Sequence, residues 1–377
     1  VPVSRAVPAG PGAPMGAAEF RAQFPALRTR VWLDTPGSPP GAAPVVSALR
    51  EVLDAWSSGD FDWTEWDGAA ARARGLFADL AGVPAATVST VGSLAEAAAT
   101  VARSLPRTRV VVPAEDFRSN LYPWLAAHEV VTVPARDGAT RAEDLIAALD
   151  DRTGLLAVSE VTSREGTRLD LAALREATDR VGARLFVNLT QSFGALRFSM
   201  DAVRPDYMAV HGYKWMLCPR GAAWLVTRPD RLDGDAPLTP LAPSWKSGPL
   251  PHGYFGGPLN LAEDAARCDA SPAWFSWVGA CAALGLLGRL DAAAVERHVL
   301  GLAARLTEGA AALGLRRVHD GPPSHIVVLA VDGAERIAER LRRRGVRATA
   351  LGDRVRFGIH YFNDESDIST VLDVLRG

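Results

Sequence analysis

The chain has 377 residues, 48% of them hydrophobic, enough to bury a sizeable core and to allow two or three domains. A formal net charge of −2, with arginines scattered along the sequence, excludes the dense basic stripe of a nucleic-acid or anionic-membrane binder. A small-molecule partner is expected instead. The longest apolar stretches, such as 280–287, meet Gly or Arg before the roughly 18 residues that a membrane span needs. Cys218, Cys268 and Cys281 show neither metal-ligand spacing nor a disulfide framework, so no metal site is expected and a reducing, cytoplasmic setting is the default.

In chain order, residues 1–16 are rich in Pro, Ala and Gly, lack the apolar core of a secretory signal, and read as a loose stretch. With them, residues 1–30 form an N-terminal arm that can pack on the C-terminal part. From position 107 onward short β-branched runs alternate with helical patterns. Strands are expected at 109–112, 155–158, 185–189, 207–210 and 222–226, with helices at 141–149 and 171–181. Strands apolar on both faces and separated by helices specify an α/β fold with a mostly parallel sheet, and ligands of such sheets sit at the carboxyl ends of the strands. Residues 232–258 are rich in Pro and Gly and read as a long irregular connection. It divides a large domain, 31–258, from a smaller α+β domain, 259–377. The smaller one is expected to run helix 274–290, helix 292–313, strand 326–331, helix 334–344, strand 354–359 and a final helix from Glu365.

Only Lys214 and Lys246 are lysines; every other basic residue of the Lys/Arg set is arginine. Codon bias explains the imbalance, yet it leaves any lysine nucleophile just two candidates. The segment His211-Gly212-Tyr213-Lys214-Trp215 follows a predicted strand. A lysine there can reach the crevice, where burial lowers its pKa and makes it a Schiff-base nucleophile. Taken alone, a lysine is more often a solvated surface charge. Upstream, 186–194 closes another apolar strand with a polar turn.

The spacing from Asn188-Leu189-Thr190-Gln191 to the Lys214 loop resembles the class V aminotransferase family, where an Asp-x-x-Gln strand end precedes the Schiff-base lysine. The resemblance runs from about Val31 to the C-terminus. It implies the fold type I architecture, a large domain with a mostly parallel sheet plus a smaller α+β domain, with pyridoxal 5′-phosphate (PLP) held on Lys214. It also implies a homodimer with composite active sites and an amino-acid substrate. The segment 90–96 resembles the family's phosphate turn, so Gly92, Ser93 and Leu94 are expected at the phosphate, where a helix start offers free N–H groups. Phe117, in Phe117-Arg118-Ser119-Asn120, is expected to stack on the pyridine ring. Ser159, Val161 and Ser163 match the strand end near the ring hydroxyl, which Gln191 contacts in relatives. His211 and Tyr213 stand where relatives place phosphate or ring ligands; a phenol can donate to phosphate, and for His211 a structural role is equally common. Ser271 stands where relatives carry a hydroxyl that reaches the neighbouring subunit's phosphate. Asp34 falls in a segment resembling the substrate loop. Arg356 matches the terminal arginine that clamps a substrate α-carboxylate, with Arg354, on the same strand face, as its rival.

Two departures bear on the chemistry. Asn188 stands where relatives carry the Asp that pairs with the protonated pyridine nitrogen, so the ring is expected to be a weaker electron sink. An adaptation, a degenerate position and an engineered residue would all read the same. Cysteine desulfurases need a mobile nucleophilic cysteine late in the chain, and Cys281 is the last one here. The stretch 213–221 is most similar to the isopenicillin N epimerase and hercynylcysteine sulfoxide lyase branch, found in natural-product and antibiotic pathways. The expected function is therefore a β-eliminating C–S lyase on a cysteine-derived conjugate. Epimerisation, or oxygen-dependent decarboxylation and deamination, is the alternative, and ordinary transamination ranks lower. Outside enzymes, a catalytically silent PLP-fold binding protein would suit Asn188 but not the retention of Lys214, Phe117, Gln191 and Arg356.

Overall fold

The structure, a computed structural model, describes residues 13–377. Its strands are β1 (Val31–Trp32), β2 (Val88–Val91), β3 (Arg109–Pro113), β4 (Glu129–Val133), β5 (Thr153–Ser159), β6 (Arg184–Asn188), β7 (Tyr207–His211), β8 (Ala223–Thr227), β9 (Arg316–Arg317), β10 (Ile326–Ala330), β11 (Val346–Arg347), β12 (Thr349–Ala350) and β13 (Arg354–Gly358). Seven of them form one sheet in the order β2-β8-β7-β6-β5-β3-β4. β8 runs antiparallel to both β2 and β7, and the other neighbours are parallel. Alternate residues serve two cores. Leu156, Val158, Leu185 and Val187 pack on one face of the sheet, while Leu155, Ala157 and Phe186 pack on the other. This double burial explains why the strands read as unbroken apolar runs. Register pairs Ser159 with Asn188 and Asn188 with Ala209, so β5, β6 and β7 end side by side.

Two helical layers cover that sheet. Helix Leu94–Ser104 follows β2, with Ser93 as its N-cap, and buries Ala97, Ala98 and Val101. Helix Trp274–Leu287 packs across Ala43–Ser58 and Ala69–Ala81. It stops three residues short of the expected end, with Gly288 as its C-cap. The expected helix at 141–149 is shorter still, Ala142–Ala147.

The C-terminal strands form an antiparallel sheet in the order β12-β13-β10-β9. β1 does not join the large sheet. It pairs in parallel with β11, the Gly358 N–H donates to the Leu33 carbonyl at 2.7 Å, and Asp34 bridges Gly358. Residues 31–34, expected at the start of the large domain, therefore dock on the C-terminal strands. The anchor is aromatic: Phe20 and Phe24 are fully buried, and Phe24 lies 4.8 Å from the Phe362 ring. Of the expected loose stretch, residues 1–12 lie outside the described residues, while Met15 is buried and its N–H donates to the Arg289 carbonyl at 2.8 Å. Looseness therefore does not extend to Met15. No single helix among the described residues is long and apolar enough to cross a membrane.

Candidate active site

The ends of β5, β6 and β7 meet the start of helix Leu94–Ser104 around a cavity of about 260 Å³. Gly194 permits the close fit of the two turns that follow β6 and β7, since a Cβ there would lie 2.7 Å from the Trp215 carbonyl oxygen. Lys214 opens into the cavity while only 4% exposed. Its Nζ lies 5.3 Å from the centre of the Phe117 ring and 5.4 Å from that of Tyr213. Burial, reinforced by the charges of Arg356 and Arg220, lowers its pKa to about 7, with Asp34 opposing weakly. Lys246 is a different kind of lysine. It is ion-paired with Asp67 and covers the Trp245 ring at 4.3 Å.

At one end of the cavity the polar groups suit an anion. Ser93, Leu94 and Ala95 line it, and Ser93 Oγ accepts the Glu96 N–H at 3.2 Å. Gly92, expected there too, has its N–H committed to Glu96 Oε2 at 2.8 Å and does not line the cavity. His211 is buried with no partner for Nε2, and burial, then Arg220 and Lys214, lowers its pKa to about 4, keeping the ring neutral. Tyr213 carries the Arg220 guanidinium over its ring at 4.7 Å. Arg220 lines the cavity and has no carboxylate partner among the described residues. The sequence assigned it no role, although it stands six positions after Lys214.

Phe117, Ser159, Ser163, Asn188 and Gln191 form another wall. Phe117 is 45% exposed, a large apolar ring left open over the cavity. Gln191 is already engaged: Nε2 donates to Ser163 Oγ at 2.8 Å and to the Pro36 carbonyl at 3.3 Å, and Oε1 accepts from Trp215 Nε1 at 3.0 Å. Val161 does not reach the cavity, because its fully buried side chain belongs to the core beneath the sheet. Behind the wall lies Asp116, which the sequence reading missed; beside Glu115 nothing local marks it as the buried one. Burial raises its pKa, against hydrogen bonds from Asn120, Ser159 and the Phe117 N–H.

Neither expected arginine nor Asp34 is among the residues lining the cavity, but Arg356 bonds Ser163, which is. Arg356 is buried on β13, with Nη1 donating to the Ser163 carbonyl at 2.6 Å, Nη2 3.7 Å from Asp34 Oδ1, and Nε lacking a partner. Arg354 instead pairs with the exposed Asp353, its Nε 2.8 Å from Oδ1. Asp34 also accepts from Thr349 Oγ1 at 2.5 Å, so its oxygens hold protein groups. Ser271 is exposed and away from the cavity of its own chain.

Known proteins resemble this chain along nearly its whole length. An uncharacterized aminotransferase of Bacillus subtilis, YcbU, is 27% identical over 362 residues, 94% of this chain and 96% of its own. A probable cysteine desulfurase of Methanothermobacter thermautotrophicus is 24% identical over 95% of this chain and 96% of its own. Among solved structures, the cystine C-S lyase C-DES, in complex with its reaction product cysteine persulfide, superposes with a TM-score of 0.83 at 21% identity, covering 94% of this chain and 99% of that one. Apo cysteine desulfurase from Thermococcus onnurineus NA1 gives a TM-score of 0.82 at 20% identity, covering 97% and 98%. None of these carries the resemblance to the epimerase and sulfoxide lyase branch. The Aminotransferase class-V family profile matches residues 31–371, and the chain therefore belongs to the class V aminotransferase family and is a pyridoxal 5′-phosphate enzyme.

Proposed function

We propose that the chain is a lyase that removes the sulfur substituent from a cysteine-derived conjugate, with Lys214 as anchor of the cofactor and as base. The carrying observation is the pairing of a buried lysine that has no carboxylate partner among the described residues with three cysteines whose burial disfavours the thiolate. Burial pushes the Cys268 thiol up to about 12, and raises those of Cys218 and Cys281 as well. A persulfide-forming thiolate needs the opposite environment. These burials favour the lyase reading over a persulfide-forming desulfurase.

The residues present suit PLP. The orphaned His211 Nε2, the Tyr213 hydroxyl, the Arg220 guanidinium and the first amides of helix Leu94–Ser104 would hold its phosphate, and Phe117 would cover its ring. Bound there, PLP acidifies the α-hydrogen of an amino acid and accepts electron density from the α-carbon. Arg356 orients the substrate carboxylate, with Asp34 and Ser163 positioning the guanidinium. Lys214, buried beside the Phe117 ring, would take the α-proton as the base. The C–S bond would then break with its electron pair leaving on sulfur, which takes the proton back from Lys214 and is released as the thiol. Water completes the conversion of the carbon skeleton to pyruvate and ammonium. Because the electrons depart with sulfur, the reaction asks less of the ring than transamination does, in keeping with Asn188.

Purified protein incubated with S-substituted cysteines should release thiol and pyruvate in equal amounts. Racemised substrate without thiol, or a keto acid that retains the sulfur, would replace elimination by epimerisation or transamination.

The proposal extends to a homodimer in a cytoplasmic setting, where the three free thiols would persist. Leu250, Phe255 and Leu259 are 81%, 97% and 76% exposed, an apolar surface that a partner would cover, and Ser271 is free to reach a neighbouring cavity. Sedimentation should give twice the chain mass. A stable monomer that retains cofactor at full occupancy would exclude composite sites.

A further inference from the structure

The side chain at position 188 belongs to a chain of hydrogen bonds whose direction is fixed from one end. The backbone N–H of Thr190 can only donate, and it meets Asn188 Oδ1 at 3.0 Å. That identifies the other amide atom as nitrogen, and Nδ2 donates to Ser159 Oγ at 2.8 Å. Ser159 has one proton. Facing a donor on one side, it can give that proton only to Asp116, whose oxygens lie at 2.8 and 3.1 Å. Asp116 also accepts from the Phe117 N–H and from Asn120 Nδ2, each at 2.7 Å. Asp116, Asn120, Ser159 and Asn188 are all at least nine-tenths buried, so water does not relax these constraints.

An aspartate at 188 would break this order. One carboxylate oxygen would still receive the Thr190 N–H, but the other would face Ser159, placing two buried carboxylates around a hydroxyl with a single proton. The network is therefore matched to an amide, and position 188 is not a vacant carboxylate site. Asn188 Nδ2 has a second N–H, for which no protein acceptor stands among the described residues, and the residue lines the cavity. We infer that Asn188 donates this N–H to the unprotonated ring nitrogen of the cofactor, with Ser159 and Asp116 as the positioning residues that fix the amide as a donor. The inference rests on the cofactor binding in this cavity, as proposed above, and adds the contact of its ring nitrogen and the charge state in which the ring is held.

Protein loaded with PLP labelled with 15N in the ring tests this without any amino-acid substrate, so the loss of the C–S lyase reading would leave it standing. The ring-nitrogen resonance should lie at the position of an unprotonated, hydrogen-bonded pyridine. In Asn188→Asp it should move to the pyridinium position. Thermal unfolding of the same proteins reads the network independently: Asn188→Asp should lower the midpoint by on the order of 5 °C. Adding Asp116→Asn should recover part of that loss. The new amide can donate to Ser159, but turning the Asn120 amide to accept from it moves Nδ2 into the position where Oδ1 has no partner among the described residues, so the recovery is partial. A pyridinium in the unaltered protein, a protein that fails to hold the label, or an Asn188→Asp variant as stable as the parent would each overturn the inference.

Discussion

Lys214→Ala should lower thiol release by about 10⁴-fold, the upper range for loss of a positioned base. Borohydride reduction of the loaded parent protein, followed by peptide mapping, should place the pyridoxyl group on Lys214 alone. A tag on Lys246, or none, would remove the assignment. The expectation follows from the unequal surroundings of the two lysines, one buried without a carboxylate partner and the other tied to Asp67. With a pKa of about 7, Lys214 in the apoprotein offers roughly a thousandfold more free amine at neutral pH than an ordinary lysine near 10.4. Free amine increases as the proton leaves, so the rate of cofactor loading should rise with pH, reach half its plateau near pH 7, and flatten above about pH 8. An unperturbed lysine would keep gaining beyond pH 9.

Arg356→Ala should weaken substrate capture by about thirty- to several-hundredfold, from roughly 2–4 kcal/mol for a buried charge-assisted contact. The effect should fall on kcat/KM, while the absorbance of the loaded cofactor stays intact. Arg356 is suited to the task because its guanidinium is buried with an unpaired Nε, and its carboxylate neighbour Asp34 is 3.7 Å away, leaving charge for a ligand. Arg354→Ala is the matched control. Its guanidinium is occupied by the exposed Asp353 and it does not line the cavity, so the change should cost less than about threefold. A reversal of the two phenotypes would exchange their roles.

The large sheet was legible because its strands are buried on both faces and carry that fact as apolar runs separated by helical patterns. Helix Leu171–Val181 agrees with expectation at both ends, where Asp170 caps the start and Gly182 the finish. The residues lining the cavity were legible only where a motif gave them a place: Lys214, Phe117, Ser93 and Asn188 converge from separate strand ends. Side-chain bonding is what the motifs did not carry. Gly92 and Val161 fit the pattern, yet one amide is taken by Glu96 and one side chain turns into the core. Asp116 and Arg220 went unnoticed for the opposite reason, since their importance comes from contacts with distant segments. The docking of β1 on β11 was equally hidden, because a two-residue strand has no periodicity to read.

That docking has a mechanical consequence. Asp34 and Pro36 follow β1 and are tied through Leu33 to Gly358, two residues beyond Arg356. Arg356, its acidic neighbour Asp34 and the Pro36 turn are thus tied to one another. The bond from Gln191 Nε2 to the Pro36 carbonyl, at 3.3 Å, links them to the wall of the cavity beneath Lys214. The turn after β6 is thereby tied to the C-terminal strands by two routes, Gln191 to Pro36 and Gln191 to Ser163, which in turn accepts from Arg356.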